Sequence, residues 1–346
     1  MAIARAERRT QLPVRLLGAA GFVPVWLMAT ALVVLSFVIA PNTVTATSFS
    51  QIWPFTSFLA IAALGQMLVV MTGGIDLSIP SVMSMVGTVM LGVSGGDDGS
   101  LLVAVGVCLI WSIVVGLTNG VLVGYAGLNP LIVTLAVGQI TIGVTANYRQ
   151  SLANESGVPP ALAQWASNRF LGASWVLWCG LVVTAAVAVV LSRAAAGRRF
   201  QAVGANRQAA WISGIDVRRY TVAAYIVAAV LYGCAGILLA AFIRTPTLGV
   251  GDPYLLGPIA CVVIAGASLS GGLASALSTW VAAFALTFLA TMLRVLGLPS
   301  ALQFVVFGVA IAAGMVISGD RIVGLVGRMT RAGRVAATDR TGNALG

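Results

Sequence analysis

Side chains able to carry acid–base or nucleophilic chemistry are few in this chain. All 19 basic residues are arginine, and the 346 residues include no lysine and no histidine. A phosphate-binding P-loop and a Schiff base need lysine, whereas most serine and cysteine hydrolases, metalloproteases and haem sites need histidine. The sequence therefore argues against ATP hydrolysis by this chain and against an intramembrane enzyme. Proton relay through histidine is excluded too, which leaves the acidic residues as the only carriers.

Asp76 is the acidic residue predicted between closely spaced apolar segments, whereas the other acidic residues fall in predicted loops or tails. An ionisable side chain at membrane depth indicates a function by default. The local sequence also reads as a helix start, with Ser78 as N-cap, Pro80 in the first turn and Asp76 near the positive end of the helix. Three roles stay open for Asp76: stabilising this helix start, contacting substrate or a partner, and coupling transport to an ion.

The elements that position these residues are predicted to be membrane helices. Hydrophobic residues make up 59% of the chain and charged residues 8%, and the mean hydropathy is +1.02. The uncharged runs are each long enough for one or two helices of about 20 residues. A spanning chain must satisfy its backbone internally, which favours helices over a barrel here. The sequence predicts an all-α integral membrane protein, with about ten transmembrane helices in a single domain over residues 17–320.

Arginine placement predicts the orientation, because positive charge in short loops stays in the cytoplasm. Both termini are expected there, as a basic N-terminus (1–16) and a basic, disordered tail (321–346). The segment 193–220 is expected on the same side, and the segment 148–172 on the opposite side. The first apolar stretch is interpreted as a retained helix rather than a secretory signal peptide, since no small-residue cleavage site closes it. Topology and anionic membrane lipid explain the net charge of +10, so nucleic-acid binding is not expected.

Small and polar residues within the predicted spans have two interpretations. Gly116, Gly120 and Gly124 form a ladder typical of close helix packing, with Asn119 placed to bond across the interface. The four cysteines lie in predicted spans without metal-site spacing and are interpreted as packing residues. Other polar residues could line a hydrated path for a hydroxyl-rich solute. The path candidates are Gln66, Asp76, Asn119, Asn129, Gln139 and Gln303.

The segment 197–220 is a polar island between two apolar stretches. Asn206 is a good N-cap, residues 207–213 are long enough for about two helical turns, and Gly214 is placed to end them. Apolar residues in this cytoplasmic segment predict a face that docks into a groove on another protein. The alternative is a basic loop lying on anionic headgroups, with Trp211 at the interface. The predicted docking residues are Asn206, Arg207, Gln208, Ala209, Ala210, Trp211, Ile212, Ser213 and Gly214.

Four motifs in this order resemble the permease subunits of ribose-type carbohydrate ATP-binding-cassette (ABC) importers. The motifs are GIDLS at 74–78, NPLIVTL at 129–135, VGAN at 203–206 followed by Ala209, Ala210 and SGI at 213–215, and the 264–272 stretch with its SLSGG core. The similarity covers about residues 20–320. It identifies Ala209, Ala210 and Gly214 with a coupling helix. Gln208 stands where relatives commonly have an acid, and Pro80 where glycine is common, so a charge contact at Gln208 is in doubt.

The resemblance implies a core of two permease copies, identical or related, in the bacterial cytoplasmic (inner) membrane. It also implies two ATPase subunits that use ATP and Mg²⁺, and an extracytoplasmic sugar-binding protein. The permease itself would bind no cofactor and no metal. Residues Arg169, Arg244 and Asp252, in the predicted outer loops, are the expected contacts of the binding protein. These loops could instead merely cap the helices.

Three further interpretations stay open. The stretch 71–78 resembles 265–272 with one residue gapped, and a duplicated structural unit and chance are equally acceptable explanations. An ion-coupled secondary transporter would need ionisable residues within the membrane, and Asp76 is nearly alone in that position. A membrane scaffold without transport activity is the remaining alternative.

Overall fold

Helices dominate the part of the chain that this computed structural model describes, which comprises residues 23–152, 157–268, 271–272, 274–299 and 301–318. The α-helices are α1 (Val23–Ile39), α2 (Ala46–Met71), α3 (Ile79–Ser94), α4 (Leu101–Gly124), α5 (Pro130–Gln150), α6 (Pro160–Ser167), α7 (Trp175–Arg193), α8 (Ala195–Ala205), α9 (Arg207–Ile212), α10 (Val217–Ile243), α11 (Leu256–Ile264), α12 (Ala276–Val295) and α13 (Ala301–Ser318). One short hairpin, β1 (Arg169–Phe170) and β2 (Ala173–Ser174), precedes α7.

Six of these helices are long and apolar enough to cross a membrane by length and composition: α2, α4, α5, α7, α10 and α12. Shorter apolar helices cover Pro24–Ile39, Ile79–Ser94 and Asp252–Ile264. The predicted class, an all-α membrane protein, is confirmed. The count of about ten spans and the cytoplasmic position of both termini stay predictions, and both terminal segments lie outside the described residues.

Helices α2 and α10 form the centre of the molecule, and glycines allow α4 to approach α10 closely. A Cβ added to Gly116 would lie 2.6 Å from the Tyr225 carbonyl oxygen, and one added to Gly120 would lie 2.9 Å from Val222 Cα. At Gly124 the corresponding distance, to the Arg218 carbonyl oxygen, is 3.1 Å. Since no side chain fits at such distances without a shift, the predicted packing role of the ladder is confirmed.

The connections between helices gather in two groups. In the first group, Gly272 N donates to the Met71 carbonyl (3.3 Å) and Arg207 Nη1 donates to the Thr72 carbonyl (3.4 Å). In the second group, Val158 N donates to the Arg244 carbonyl (2.8 Å), and Ala161 N donates to Asp98 Oδ1 (2.8 Å). We call these groups the first face and the second face. The first face contains the described residues of the 72–78, 194–216 and 265–275 connections, and the second face contains those of the 151–174 and 244–255 connections.

The polar island on the first face is more regular than its sequence predicts. An additional helix, α8, occupies Ala195–Ala205 before α9 begins. Gly197, Phe200 and Val203 are buried and recur at a spacing of three, so they lie along one side of α8. Because charged and polar residues lie between these three positions, the short apolar stripe is not evident from the sequence. The polar island is therefore built around a pair of helices rather than a turn-rich loop.

Candidate functional site

Helix α9 is a short helix with a cap at each end. Asn206 Oδ1 accepts a hydrogen bond from Ala209 N (2.9 Å), which confirms the predicted N-cap. At the other end Gly214 has φ +79°, its N–H donates to the Trp211 carbonyl (2.9 Å), and Ile215 N donates to the Ala210 carbonyl (3.0 Å). This is a Schellman motif, which requires a left-handed residue at Gly214. The helix ends at Ile212, one residue earlier than predicted, and Ser213 is its C-cap.

The two bulky apolar side chains of α9 are both exposed. Trp211 is 71% exposed and Ile212 is 72% exposed. Ala210, on the side of α9 that faces the rest of the chain, is only 4% exposed. Burying one such large side chain contributes about 1.5–3 kcal/mol. A partner that covers Trp211 and Ile212 would therefore gain several kcal/mol. The outward side of α9 has the chemistry of a docking surface.

An open groove of about 1340 Å³ lies between α9 and the connection from α4 to α5. Arg207, Gln208 and Trp211 line one side, and Asn129 and Pro130 line the other. Asn129 is the N-cap of α5, with its Oδ1 accepting from Leu131 N (2.9 Å). Asn129, predicted as a path residue, thus lies on the first face beside α9.

Contacts on the inner side of the α8–α9 pair attach it to three other elements. The Arg207 guanidinium donates to the Thr72 carbonyl (3.4 Å) and to Thr221 Oγ1 in α10 (3.3 Å). Three residues earlier, on α8, a Cβ added to Gly204 would lie 2.6 Å from the Met71 carbonyl oxygen and 3.0 Å from the Gly272 carbonyl oxygen. A displacement of the α8–α9 pair would therefore alter contacts at the end of α2, at the start of α10 and at Gly272. Sequence reasoning missed this junction, because its partners lie far apart in the chain.

The two stretches that resemble each other in sequence end their helices in the same way. Gly73 has φ +77° and donates to the Val70 carbonyl, and Gly74 donates to that of Val69. Gly266 has φ +87° and donates to the Val263 carbonyl, and Ala267 donates to that of Val262. Both are Schellman motifs. The local similarity is therefore structural, and the two turns meet where Gly272 bonds to Met71.

Asp76 is buried at the start of α3. Its Oδ1 accepts from Ser78 N (2.8 Å) and from Ser78 Oγ (2.6 Å), and Asn119 Nδ2 donates to the same Ser78 Oγ (3.0 Å). Ser78 is at the N-cap position as predicted, but its side chain does not cap the helix. The Asp76 carboxylate takes that role, because it receives the backbone N–H at the positive end of α3. The predicted helix-start role of Asp76 is supported by this geometry.

Further polar residues complete a buried cluster around Asp76. Asp76 N donates to Gln66 Oε1 (3.3 Å), and the Tyr232 hydroxyl lies at 3.3 Å from the same atom. Asp76 belongs to the connecting turn rather than to either helix. Burial raises the pKa of its carboxyl to about 6, and the two hydrogen bonds from Ser78 oppose this increase. Tyr232, on α10, was missed by the sequence analysis, since a tyrosine within an apolar helix carries no distinguishing signal.

The path candidates therefore separate in space. Gln66, Asp76 and Asn119 are buried and joined in one cluster, whereas Gln139 is exposed on α5. Asn129 lies beside α9, and the side chain of Gln303 lies outside the described residues. The structure brings three of the six candidates together and leaves Gln139 on an outer surface.

The three predicted outer contacts all lie on the second face. Arg169 begins the β1–β2 hairpin, Arg244 follows α10 and Asp252 begins a short 3₁₀ turn. All three are exposed. Arg244 has φ +72°, and its Nη2 donates to Ser167 Oγ at the end of α6 (3.4 Å). Glu155 and its neighbours in the same outer segment lie outside the described residues.

Comparison with known proteins gives consistent matches over most of the chain. Residues 48–315 match the profile of the family described as branched-chain amino acid transport system / permease component. The probable ABC transporter permease protein y4mJ of Sinorhizobium fredii is 34% identical, over 80% of this chain and 83% of the relative. The ribose import permease protein RbsC of Escherichia coli is 32% identical, over 87% and 96%. The L-arabinose ABC transporter permease protein AraH of Azospirillum brasilense is 26% identical, over 85% of each chain. No solved structure matches the chain.

Proposed function

The chain belongs to the branched-chain amino acid transport system / permease component family, and from this membership we propose that it is the membrane subunit of an ATP-driven sugar importer. The substrate class is inferred from relatives named for ribose and L-arabinose. A sugar or sugar-like polyol would cross between two copies of the permease, identical or related. The chain itself would perform no catalysis and hold no cofactor.

The observation that carries this proposal is the exposed docking surface of α9. A chain without lysine has no P-loop, so the energy of ATP must come from another protein. Trp211 and Ile212 offer that protein an apolar surface on a helix whose ends are both capped. Closure of two ATPase subunits around ATP and Mg²⁺ would move α9, and the Arg207 and Gly204 contacts would transmit the movement to α2 and α10.

The proposed topology has ten spans within a permease domain over residues 17–320. Counting α1, α3, α11 and α13 with the six long apolar helices would give ten spans, an even number, and would put both termini on one side of the membrane. The first face would be cytoplasmic, because arginines cluster on it and on the adjoining helix ends and because the termini contain nine more. The clustered arginines are Arg193, Arg198, Arg199, Arg207, Arg218 and Arg219. The second face would be extracytoplasmic, in a bacterial inner membrane.

A polar surface on α5 is the best-supported part of the path. Gln139 and Asn147 are exposed on this spanning helix among apolar neighbours such as Ile140 and Val144. An amide facing lipid lacks hydrogen-bond partners and is disfavoured. We therefore assign this side of α5 to the second permease copy and to a hydrated path between the copies. The binding protein would deliver the sugar to the second face, near Arg244 and Asp252.

The test is reconstitution of the permease with the ATPase and the secreted binding protein encoded by neighbouring genes. Uptake of radiolabelled pentoses should require ATP inside the vesicles and binding protein outside. An Ala209→Asp variant should insert normally but show no uptake, because it places a charge on the docking helix, whereas Gln164→Ala on the second face should transport like wild type. Uptake that collapses with an uncoupler while ATP is maintained would instead indicate an ion-coupled transporter.

A further inference from the structure

The β1–β2 hairpin has an unusual residue at its tip. Arg169 pairs with Ser174 and Phe170 pairs with Ala173, which leaves Leu171 and Gly172 as a two-residue turn. Their φ angles are +51° and +82°, so both central residues are left-handed, as in a type I′ turn. Asparagine, aspartate or glycine suits this conformation, whereas a leucine there costs about 1–2 kcal/mol. Strain of this kind points to a function when no fold requirement explains it.

Leu171 gains no compensating contact within the described protein, because its side chain is 79% exposed. Behind it stands an ordered aromatic cluster. The Phe170 ring stacks on Trp175 (centroids 5.0 Å apart, planes at 16°) and meets the edge of Trp178 at 5.9 Å. Trp178 Nε1 donates to the Phe170 carbonyl (3.1 Å). The cluster fixes the hairpin onto the first turn of α7 and presents Leu171 outward.

The length of α7 determines the depth of this hairpin in the membrane. Its 19 residues extend for about 28 Å at ~1.5 Å per residue, close to the ~30 Å thickness of the hydrocarbon core. The only charged residue in this helix is Arg193, at its last position. When Arg193 lies at one boundary of the hydrocarbon, Trp175 lies at the other. The hairpin immediately before Trp175 must then lie at the level of the headgroups, where tryptophan is enriched.

We propose that the hairpin Arg169–Ser174, together with Trp175 and Trp178, is a membrane-interface anchor in the leaflet on the second face. Leu171 and Phe170 enter the boundary between acyl chains and headgroups, and Arg169 meets the lipid phosphates. The strained turn serves to place a large apolar side chain in lipid. Arg169, expected as a contact of the binding protein, is accordingly assigned to lipid.

The anchor also has a mechanical consequence for the second face. Helix α6 is held by Asp98 at its start and by Arg244 at its end, and the hairpin follows it after Asn168. A hairpin held in the bilayer fixes the distal end of this outer segment relative to the membrane. The surface left for a soluble partner is then the 244–255 connection, not the hairpin.

The test compares a fluorophore at the hairpin tip with one on α6 in the same segment. Leu171→Cys and Gln164→Cys, each in a background with the four native cysteines replaced, are labelled with a nitrobenzoxadiazole dye after confirmation of wild-type uptake. In proteoliposomes the label at 171 should be quenched strongly by phospholipids with a nitroxide near the headgroup and weakly by aqueous iodide. The label at 164 should show the reverse pattern.

Two outcomes would overturn the proposal. Equal iodide quenching at both positions would show that the tip lies in water. Loss of iodide quenching at 171 only after the purified binding protein is added would show that the tip is a protein-docking surface. Neither result depends on the identity of the sugar, and neither would contradict the proposed transport function.

Discussion

Replacement of Gly204 by alanine tests the junction through which α9 is proposed to act. The added methyl carbon would lie 2.6 Å from the Met71 carbonyl oxygen, whereas a relaxed C···O contact is about 3.3 Å or longer. Helices α8 and α2 must therefore separate by about 0.7 Å locally. Overpacking of this kind costs about 1–3 kcal/mol. Alanine in place of glycine within helix α8 recovers about 1 kcal/mol, which leaves a net destabilisation of about 0–2 kcal/mol.

The matched control is Gly106→Ala, because Gly106 is also helical and has no neighbouring atom within 4 Å of an added Cβ. Gly106→Ala should gain the higher helix propensity of alanine without the steric clash, and it should transport sugar like wild type. Gly204→Ala should bind the ATPase normally, since Trp211 and Ile212 are unchanged. The ATPase in that complex should hydrolyse ATP, but sugar uptake should be reduced. Copurification, ATP hydrolysis and uptake in proteoliposomes measure the three quantities. Identical uptake by the two variants would refute the role of the Gly204 contact.

Two further substitutions test the docking surface and the buried carboxylate. Trp211→Ala should weaken ATPase binding by about 2 kcal/mol, roughly 30-fold in Kd, without changing thermal stability; unchanged binding would favour contact of Trp211 with lipid headgroups. For Asp76, folding raises the carboxyl pKa from 3.8 to about 6, so wild-type stability should fall as the pH rises from about 4 to 6 and remain constant above that range. Asp76→Asn should abolish this pH dependence in thermal unfolding measured across that range. The same pH dependence in the variant as in wild type would disprove that Asp76 causes it.

Local features of the site were predictable because their causes are local. An N-cap such as Asn206 and a left-handed glycine such as Gly214 act within a few residues, so the sequence places α9 to within one residue. The packing role of Gly116 and Gly120 followed from their spacing on one helix. The membrane class followed from composition, which reflects the solvent around the protein and requires no tertiary information.

Long-range features could not be predicted, because their energies depend on residues brought together only by the fold. The bond from Arg207 to Thr72 joins residues 135 positions apart, and nothing near either residue indicates the other. The same limit applies to the approach of Gly204 to Met71 and of Gly272 to Met71. Ser78 occupies the predicted N-cap position, but the bonding of its side chain could not be predicted for a related reason. Asn119, from another helix, takes part in the hydrogen bonding of its hydroxyl, and Asp76 accepts the N–H that Ser78 itself offers.

The carbonyl of Met71 connects the α8–α9 pair to the buried polar cluster. It lies against Gly204, accepts from Gly272 and ends the helix that carries Gln66. The same turn continues to Asp76, whose backbone N–H bonds to Gln66. Movement of the α8–α9 pair toward or away from Met71 would therefore change the strain on a turn whose far end holds the start of α3. Because packed interiors respond to such shifts by switching between arrangements rather than by gradual deformation, this turn is where a partner's closure is expected to become a change in the membrane helices.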